Sequence, residues 1–336
     1  METYNLGNFV LNSGITLPDA VISYKTHGTL NSAKDNAILF PCFLGGVPEA
    51  LEIYIDEGKP LDPSKYFIIL PGQFGNGISS SPSNTPTPFD KGAFPEVLIA
   101  DDVSAQHQLL TELWGIQELQ LVLGWSVGAL QTYQWAVQYP DFVKRAASIA
   151  GAPRPSDWTK LWLKSVIEDP IISHQNYNNG FYDDKSSLQG ALRTLGHLCA
   201  LTLPPIGYYR EDQKIWSKIG FSSYEDSIIR MWESFWLPHD PNDLKVAGRK
   251  ARMADPSRLT NGDIDLALSM ITAKFAIIAF TGDNMFPPAE GRIDASRVKD
   301  SKFYEFESVF GHLATFGMDS KDLENINSVL QNLLDS

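Results

Sequence analysis

Cysteine is nearly absent from this chain: among 336 residues there are two, Cys42 and Cys199. Two cysteines make no disulfide framework. Neither belongs to a C-x-x-C pair or to a Cys/His cluster with zinc spacing, so a disulfide-stapled or zinc-stapled fold is excluded. A reducing compartment is the default for such usage. Basic residues are scarce as well, with 27 Lys and Arg against 40 Asp and Glu and a formal net charge of −13. A nucleic-acid partner needs a basic face that displaces counterions, and this chain spreads its few cations thinly. Acidic excess of this kind serves solubility. No apolar run reaches the ~18–20 residues that cross a bilayer. Met1 to Leu6 shows no basic start leading into an apolar core, so no secretory leader is expected. The expectation is a cytoplasmic protein with neither nucleic acid nor membrane as partner. No internal repeat or low-complexity tract occurs. There is no G-x-x-x-x-G-K, and no G-x-G-x-x-G follows a strand, so no cofactor is implied.

What is present is an alternation. Ala37–Phe40, Phe67–Leu70, Leu119–Leu123 and Ala146–Ala150 are short, continuous apolar runs closed by Pro or Gly. Such runs suit strands buried on both faces of a parallel sheet. Between them, Asp101–Trp114 and Val127–Tyr139 carry helical periodicity, and Pro140 stops the second. This is the pattern of an α/β fold with a mostly parallel central sheet. The character changes near Pro153-Arg154-Pro155. From there to about Asp265 only helical patterns appear, including Asp157–Ile167, Leu188–Leu201 and Tyr224–Trp236. That block holds Trp158, Trp162, Trp216, Trp232 and Trp236. Phe275–Phe280 and Lys302–Phe306 then read as strands, and Leu323–Leu334 as a closing helix. The expected organisation is a core from 1–153 and 269–336, interrupted by a helical cap at 154–268 over the strand ends, where sites lie in open α/β sheets.

Gly124-Trp125-Ser126-Val127-Gly128 matches G-x-S-x-G, with a strand before it and a helix after it. In that context the serine sits on a strained strand-to-helix turn and its hydroxyl projects above the sheet. The flanking glycines admit backbone that passes too close for a Cβ. The helix N-terminus behind the serine favours developing negative charge.

A serine needs a base, and the base an orienting acid. In this architecture they follow the serine in the order acid, then histidine. Downstream lie His174, His197, His239 and His312; the first three fall in the helical block. His312 follows the last strand on a loop, where a base can reach the turn. Asp283 directly follows the strand Phe275–Phe280, whereas Asp294 and Asp300 lie in a polar helical stretch. Ser126, Asp283 and His312 are therefore the expected catalytic triad. An oxyanion hole needs two backbone N–H groups. Val127 should supply one. The loop Pro41–Gly46 should supply the other, from Phe43, with Leu44 as the next choice. Leu44, Trp125 and Leu313 are expected against the substrate. Cys42 beside the site reads as a small buried filler. Arg193, Arg210, Arg249 and Arg252 could hold a carboxylate, but none is assigned.

On these residues the chain resembles the homoserine O-acetyltransferase-like family of the α/β-hydrolase superfamily. The resemblance runs through Leu11–Pro18 and Tyr24–Asn31, then Ile99–Val103, the serine turn, Gln134–Pro140, His239–Asp243, Asp283–Pro288 and Gly311-His312. It implies an α/β-hydrolase fold, acyl chemistry through the same triad, and a homodimer through the cap. Two departures bear on the acceptor. In the acetyltransferases an aspartate that helps hold the substrate's amino group follows the catalytic histidine; here Leu313 stands there, and a leucine cannot pair with an ammonium. Trp125 and Ala129 replace small residues of the turn, and Gly75–Asn84 differs from the family's segment. The favoured reading is a hydrolase acting on an ester or other small-molecule acyl substrate through an acyl-enzyme on Ser126. The alternative is an O-acyltransferase with a changed acceptor, for which acyl-CoA would be a co-substrate. A second alternative is a non-catalytic, ligand-binding use of the fold.

Overall fold

The computed structural model describes all residues, 1–336. One eight-stranded sheet runs through it: β1 (Glu2–Val10), β2 (Thr16–His27), β3 (Ala37–Leu39), β4 (Phe67–Pro71), β5 (Leu121–Trp125), β6 (Arg145–Ile149), β7 (Lys274–Phe280) and β8 (Ser301–Phe306). Their order in space is β1-β2-β4-β3-β5-β6-β7-β8. From β4 to β8 every neighbouring pair is parallel, while β1, β2 and β4 pair antiparallel. Every residue of β3, β4 and β5 is buried, as continuous apolar runs require of strands covered on both faces. β1 and β2 are only partly buried, and their inward side chains Leu6, Phe9, Leu17, Ala20 and Ile22 join Phe74, Val97, Ala105 and Leu109 in a second, smaller core.

Element boundaries differ from the sequence reading at two informative places. The third apolar run begins its ladder at Leu121, because Leu119 makes only an isolated bridge to Val143. It extends through Gly124 to Trp125, so the strand leads without a gap into Ser126. The helix expected from Asp101 starts at Ile99 as α1 (Ile99–Gln108) and widens into a π-turn over Leu109–Leu113. α2 spans Val127–Gln138.

Between β6 and β7 the chain forms only helices and the turns that join them, with no strand. Two stretches anticipated as single helices, Asp157–Ile167 and Tyr224–Trp236, contain π-turns at Leu163–Glu168 and Ile228–Glu233. The helix Pro241–Arg252 fastens this block to the core. From it, the Lys250 ammonium reaches Asp102 Oδ2 of α1 at 2.6 Å and the Phe74 carbonyl at 2.6 Å. Asp102 Oδ1 in turn accepts from the Phe74 amide at 2.7 Å. Both charged side chains are fully buried. No helix is long and apolar enough to cross a membrane.

Candidate active site

Ser126 lies between the last residue of β5 and the first of α2, with φ 53° and ψ −120°. A non-glycine residue held there stores about 1–3 kcal/mol of strain, which the surrounding packing must impose. The packing is tight enough to do so. A Cβ on Gly124 would lie 2.3 Å from the Gly128 carbonyl group, and one on Gly128 would lie 2.6 Å from the Pro41 oxygen. Both glycines are thus required by close backbone approach.

The two other expected triad members converge on this serine. His312 Nε2 is 3.1 Å from Ser126 Oγ, and His312 Nδ1 is 2.9 Å from Asp283 Oδ2. Asp283 follows β7, and its Oδ1 accepts the amides of Met285 and Phe286 at 2.8 and 2.9 Å. That fixes the carboxylate edge that faces the imidazole. His312 rides on a 3₁₀ turn, Gly311–Phe316, after β8. A Cβ on Gly311 would meet the Gly282 carbonyl oxygen at 2.5 Å, so the histidine loop and the aspartate loop touch there. All three side chains are buried. Asp294 is instead held near Arg297 at 3.5 Å.

Val127 opens α2, so its N–H has no intrahelical acceptor. The amides of Phe43 and Leu44 also donate to no group of the protein. The expected oxyanion donors are therefore unpaired beside the serine turn. Cys42 is fully buried, and burial pushes its thiol well above the ordinary range. This fits the filler reading and not a reactive thiol.

Ser126 and His312 open into a cavity of about 210 Å³. Phe43, Leu44, Trp125 and Leu313 line it, as the sequence indicated. Trp125 is also stacked on Phe43, with ring centroids 5.1 Å apart. Sequence reasoning did not single out the rest of the wall. Met231, Trp232, Phe235 and Trp236 come from the cap, and Met285, Phe316 and Met318 from the loops after β7 and β8. The concentration of tryptophan in the cap was the available signal, but it did not discriminate. Trp162, Trp232 and Trp236 line the cavity, whereas Trp158 is half exposed and donates to the Asn284 carbonyl. The four arginines weighed as carboxylate partners are committed elsewhere: Arg193 to Glu233, Arg210 to Asp212, Arg249 to Glu96 and Arg252 to Glu168. None lines the cavity.

Comparison with known proteins identifies the fold family. The family model described as alpha/beta hydrolase fold matches residues 38–316. An ethyl acetate hydrolase of Pseudomonas veronii is 39% identical over 100% of this chain and 95% of its own length. The solved structure of an acetylester hydrolase from Corynebacterium glutamicum superposes with a TM-score of 0.97 at 34% identity, covering 100% of this chain and 96% of that one. A homoserine O-acetyltransferase of Methanohalobium evestigatum is 32% identical over 97% of this chain and 71% of its own length.

Proposed function

The chain belongs to the alpha/beta hydrolase fold family, and on that premise we propose that it is a serine esterase for small, uncharged esters with short acyl chains. The observation that carries this reading is the cavity: apart from Ser126 and His312, all 14 residues that line it are hydrophobic. Ser126 Oγ attacks the ester carbonyl while His312 Nε2 takes its proton. Asp283 holds the Nδ1–H and stabilises the imidazolium. The carbonyl oxygen becomes an oxyanion, received by the N–H groups of Phe43 and Val127. The intermediate collapses, the C–O bond to the alcohol breaks, and His312 returns the proton to that alcohol. Water then attacks the acyl-enzyme with His312 again as base, releasing the acid and restoring Ser126. Water is the sole co-substrate, and neither a cofactor nor acyl-CoA enters.

The same cavity disfavours transfer to homoserine. No carboxylate lines it, and Leu313 occupies the position after the catalytic histidine. An acceptor ammonium would be buried unpaired, at a cost of several kcal/mol. The 39% identity with an ethyl acetate hydrolase supports hydrolysis of acetyl esters in particular. The test is turnover of p-nitrophenyl esters with and without homoserine. Acetate release should be unchanged by homoserine, with no O-acetylhomoserine formed, and kcat/KM should fall at least about tenfold from acetate to octanoate as the acyl chain outgrows the cavity. Acetylated homoserine appearing at a rate that matches ester consumption would establish the transferase instead.

The resemblance to the acetyltransferases further implies a homodimer through the cap. The cap exposes Leu201, Ile206, Tyr224 and Ile229, apolar side chains available to a second copy. Sedimentation should show a dimer that Leu201→Glu with Ile206→Glu converts to monomer. A wild-type monomer at micromolar concentration would remove this proposal.

A further inference from the structure

The loop Pro41–Gly46 has no regular secondary structure, yet the direction of the Phe43 N–H decides whether it can receive an oxyanion. A trans peptide plane points its C=O and its N–H in opposite directions. The Phe43 N–H is therefore aimed by whatever holds the Cys42 carbonyl. Two buried glutamines hold it. Gln73 Nε2, just after β4, donates to the Cys42 oxygen at 3.1 Å, and Gln131 Nε2, from α2, donates to it at 3.2 Å. Gln73 Nε2 also donates to the Phe43 oxygen at 3.0 Å, which orients the next plane and with it the Leu44 N–H. Both side chains are at most 1% exposed.

The further connections of these glutamines argue for a dedicated clamp. Gln131 Oε1 accepts from Gln106 Nε2 at 2.7 Å, and Gln106 Oε1 accepts from Trp135 Nε1 at 2.7 Å. This chain fixes which end of the Gln131 amide faces the loop. Gln73 has no such support on its far side: its Oε1 is buried without a partner. A buried orphan acceptor is costly, and a native structure that keeps one calls for a reason. Here the reason is geometric, because only an –NH₂ end can donate to two successive loop carbonyls at once. Asn76 fastens the far side of the loop, accepting from the Gly45 amide at 2.9 Å and donating to the Gly46 oxygen at 2.8 Å. The loop is thus held by its carbonyls and by Gly45, and the Phe43 and Leu44 amides are left free.

We propose that Gln73 and Gln131 are positioning residues for catalysis, a paired amide clamp on the Cys42 carbonyl that aims the Phe43 N–H at the oxyanion. The proposal rests on the ester-hydrolase reading above. Neither glutamine touches substrate; each acts through a peptide plane. The clamp matters in the transition state, when the oxyanion exists, more than in the ground state.

Gln73→Met and Gln131→Met keep side-chain length and remove the donors. In Gln73→Met the loop loses two hydrogen bonds; in Gln131→Met it loses one. Turnover of p-nitrophenyl acetate should fall by about 10²-fold in kcat for Gln73→Met and about tenfold for Gln131→Met, with KM within about twofold. Inhibition by a trifluoromethyl ketone reports the oxyanion directly, because Ser126 Oγ adds to its carbonyl carbon, His312 takes the proton and the ketone oxygen becomes the anion. Its affinity should fall in parallel with kcat, while the matching methyl ketone, bound without addition, changes by less than twofold. If both variants fold with unchanged kcat, if KM alone moves, or if both ketones weaken equally, the clamp is overturned. If Gln73→Met does not fold, Gln131→Met decides by the same criteria. Wild-type turnover that survives Ser126→Ala would overturn the ester-hydrolase reading and this proposal with it, whereas Ser126-dependent turnover with unmoved variants overturns the clamp alone.

Discussion

Ser126→Ala is expected to lower kcat for acetyl esters by about 10⁵-fold while leaving the melting temperature unchanged or slightly higher. The large loss follows from the chemistry: no other nucleophile lines the cavity, and an alanine there cannot form the acyl-enzyme. The unharmed stability follows from the turn. Ser126 holds a positive φ that any Cβ-bearing residue must share, so alanine adds no new strain, and it removes a hydroxyl whose only side-chain partner is His312. His312→Ala should cost nearly as much, because the serine then has no base. Asp283→Asn should cost about 10⁴-fold by a different route. The asparagine –NH₂ would face Nδ1 and favour the tautomer whose Nε2 carries the proton, and that nitrogen could not then accept from Ser126. Because the three act as one unit, Ser126→Ala with His312→Ala should be little worse than Ser126→Ala alone. Single-turnover kinetics with intact-mass detection of an acetyl adduct would check the series. A Ser126→Ala protein retaining more than about 1% of wild-type kcat would defeat the assignment.

The legibility of this site in the sequence divides along physical lines. The serine turn is local: Gly124, Ser126 and Gly128 are confined to five residues, and a strand run before them and a helix after them fix the context. Asp283 and His312 are remote in sequence but were narrowed by chain order, since each follows a strand at the same edge of the sheet. Phe43 and Leu44 could be placed because the loop after β3 is the one adjacent to that turn. The cap wall could not be read. Its helices contain π-turns at Leu163–Glu168 and Ile228–Glu233, and each adds a residue to the turn and rotates every later side chain about the axis. Met231, Trp232, Phe235 and Trp236 all line the cavity, but nothing within their own segment tells a helix face that walls a cavity from one packed into a core. The glutamines were equally hidden. Nothing local distinguishes Gln73 from the exposed amides of the chain, since its meaning lies in two carbonyls some thirty positions earlier. The Ile99–Val103 stretch was matched to the family without a function. The structure supplies one: Asp101 accepts from the Leu98 amide at the start of α1 and from Asn12 after β1, and Asp102 receives the cap lysine.

Lys250→Met is expected to destabilise the protein by about 3–5 kcal/mol at pH 8, the largest stability effect of any single change considered. The ammonium serves two buried acceptors, Asp102 Oδ2 and the Phe74 carbonyl, and methionine serves neither. The cost has a distinctive pH dependence. Burial pushes the Asp102 carboxyl up from 3.8 to about 6, with Lys250 pulling against the shift. A carboxyl whose folded pKa is raised contributes stability below its unfolded value, near 3.8, and loses it as pH rises through the folded value. In the wild type that loss is complete a little above pH 6. Without Lys250 the carboxyl rises further, so the variant goes on losing stability toward pH 8, by at most about 1.4 kcal/mol per pH unit. The gap between wild type and variant should therefore be smallest near pH 5 and widest near pH 8. Adding Asp102→Asn to the lysine variant should recover much of the loss and flatten the profile. The amide oxygen can still accept from the Phe74 amide, and no buried charge remains. Urea unfolding of the three proteins at pH 5, 6.5 and 8 measures this directly. A gap independent of pH would mean that Asp102 is neutral in the folded wild type throughout and that the cap is held by packing and the Phe74 contact instead of by an ion pair. At temperatures where the variant stays folded, its kcat should be within about threefold of wild type, because Lys250 and Asp102 do not line the catalytic cavity and act only by fastening the helix Pro241–Arg252 to α1.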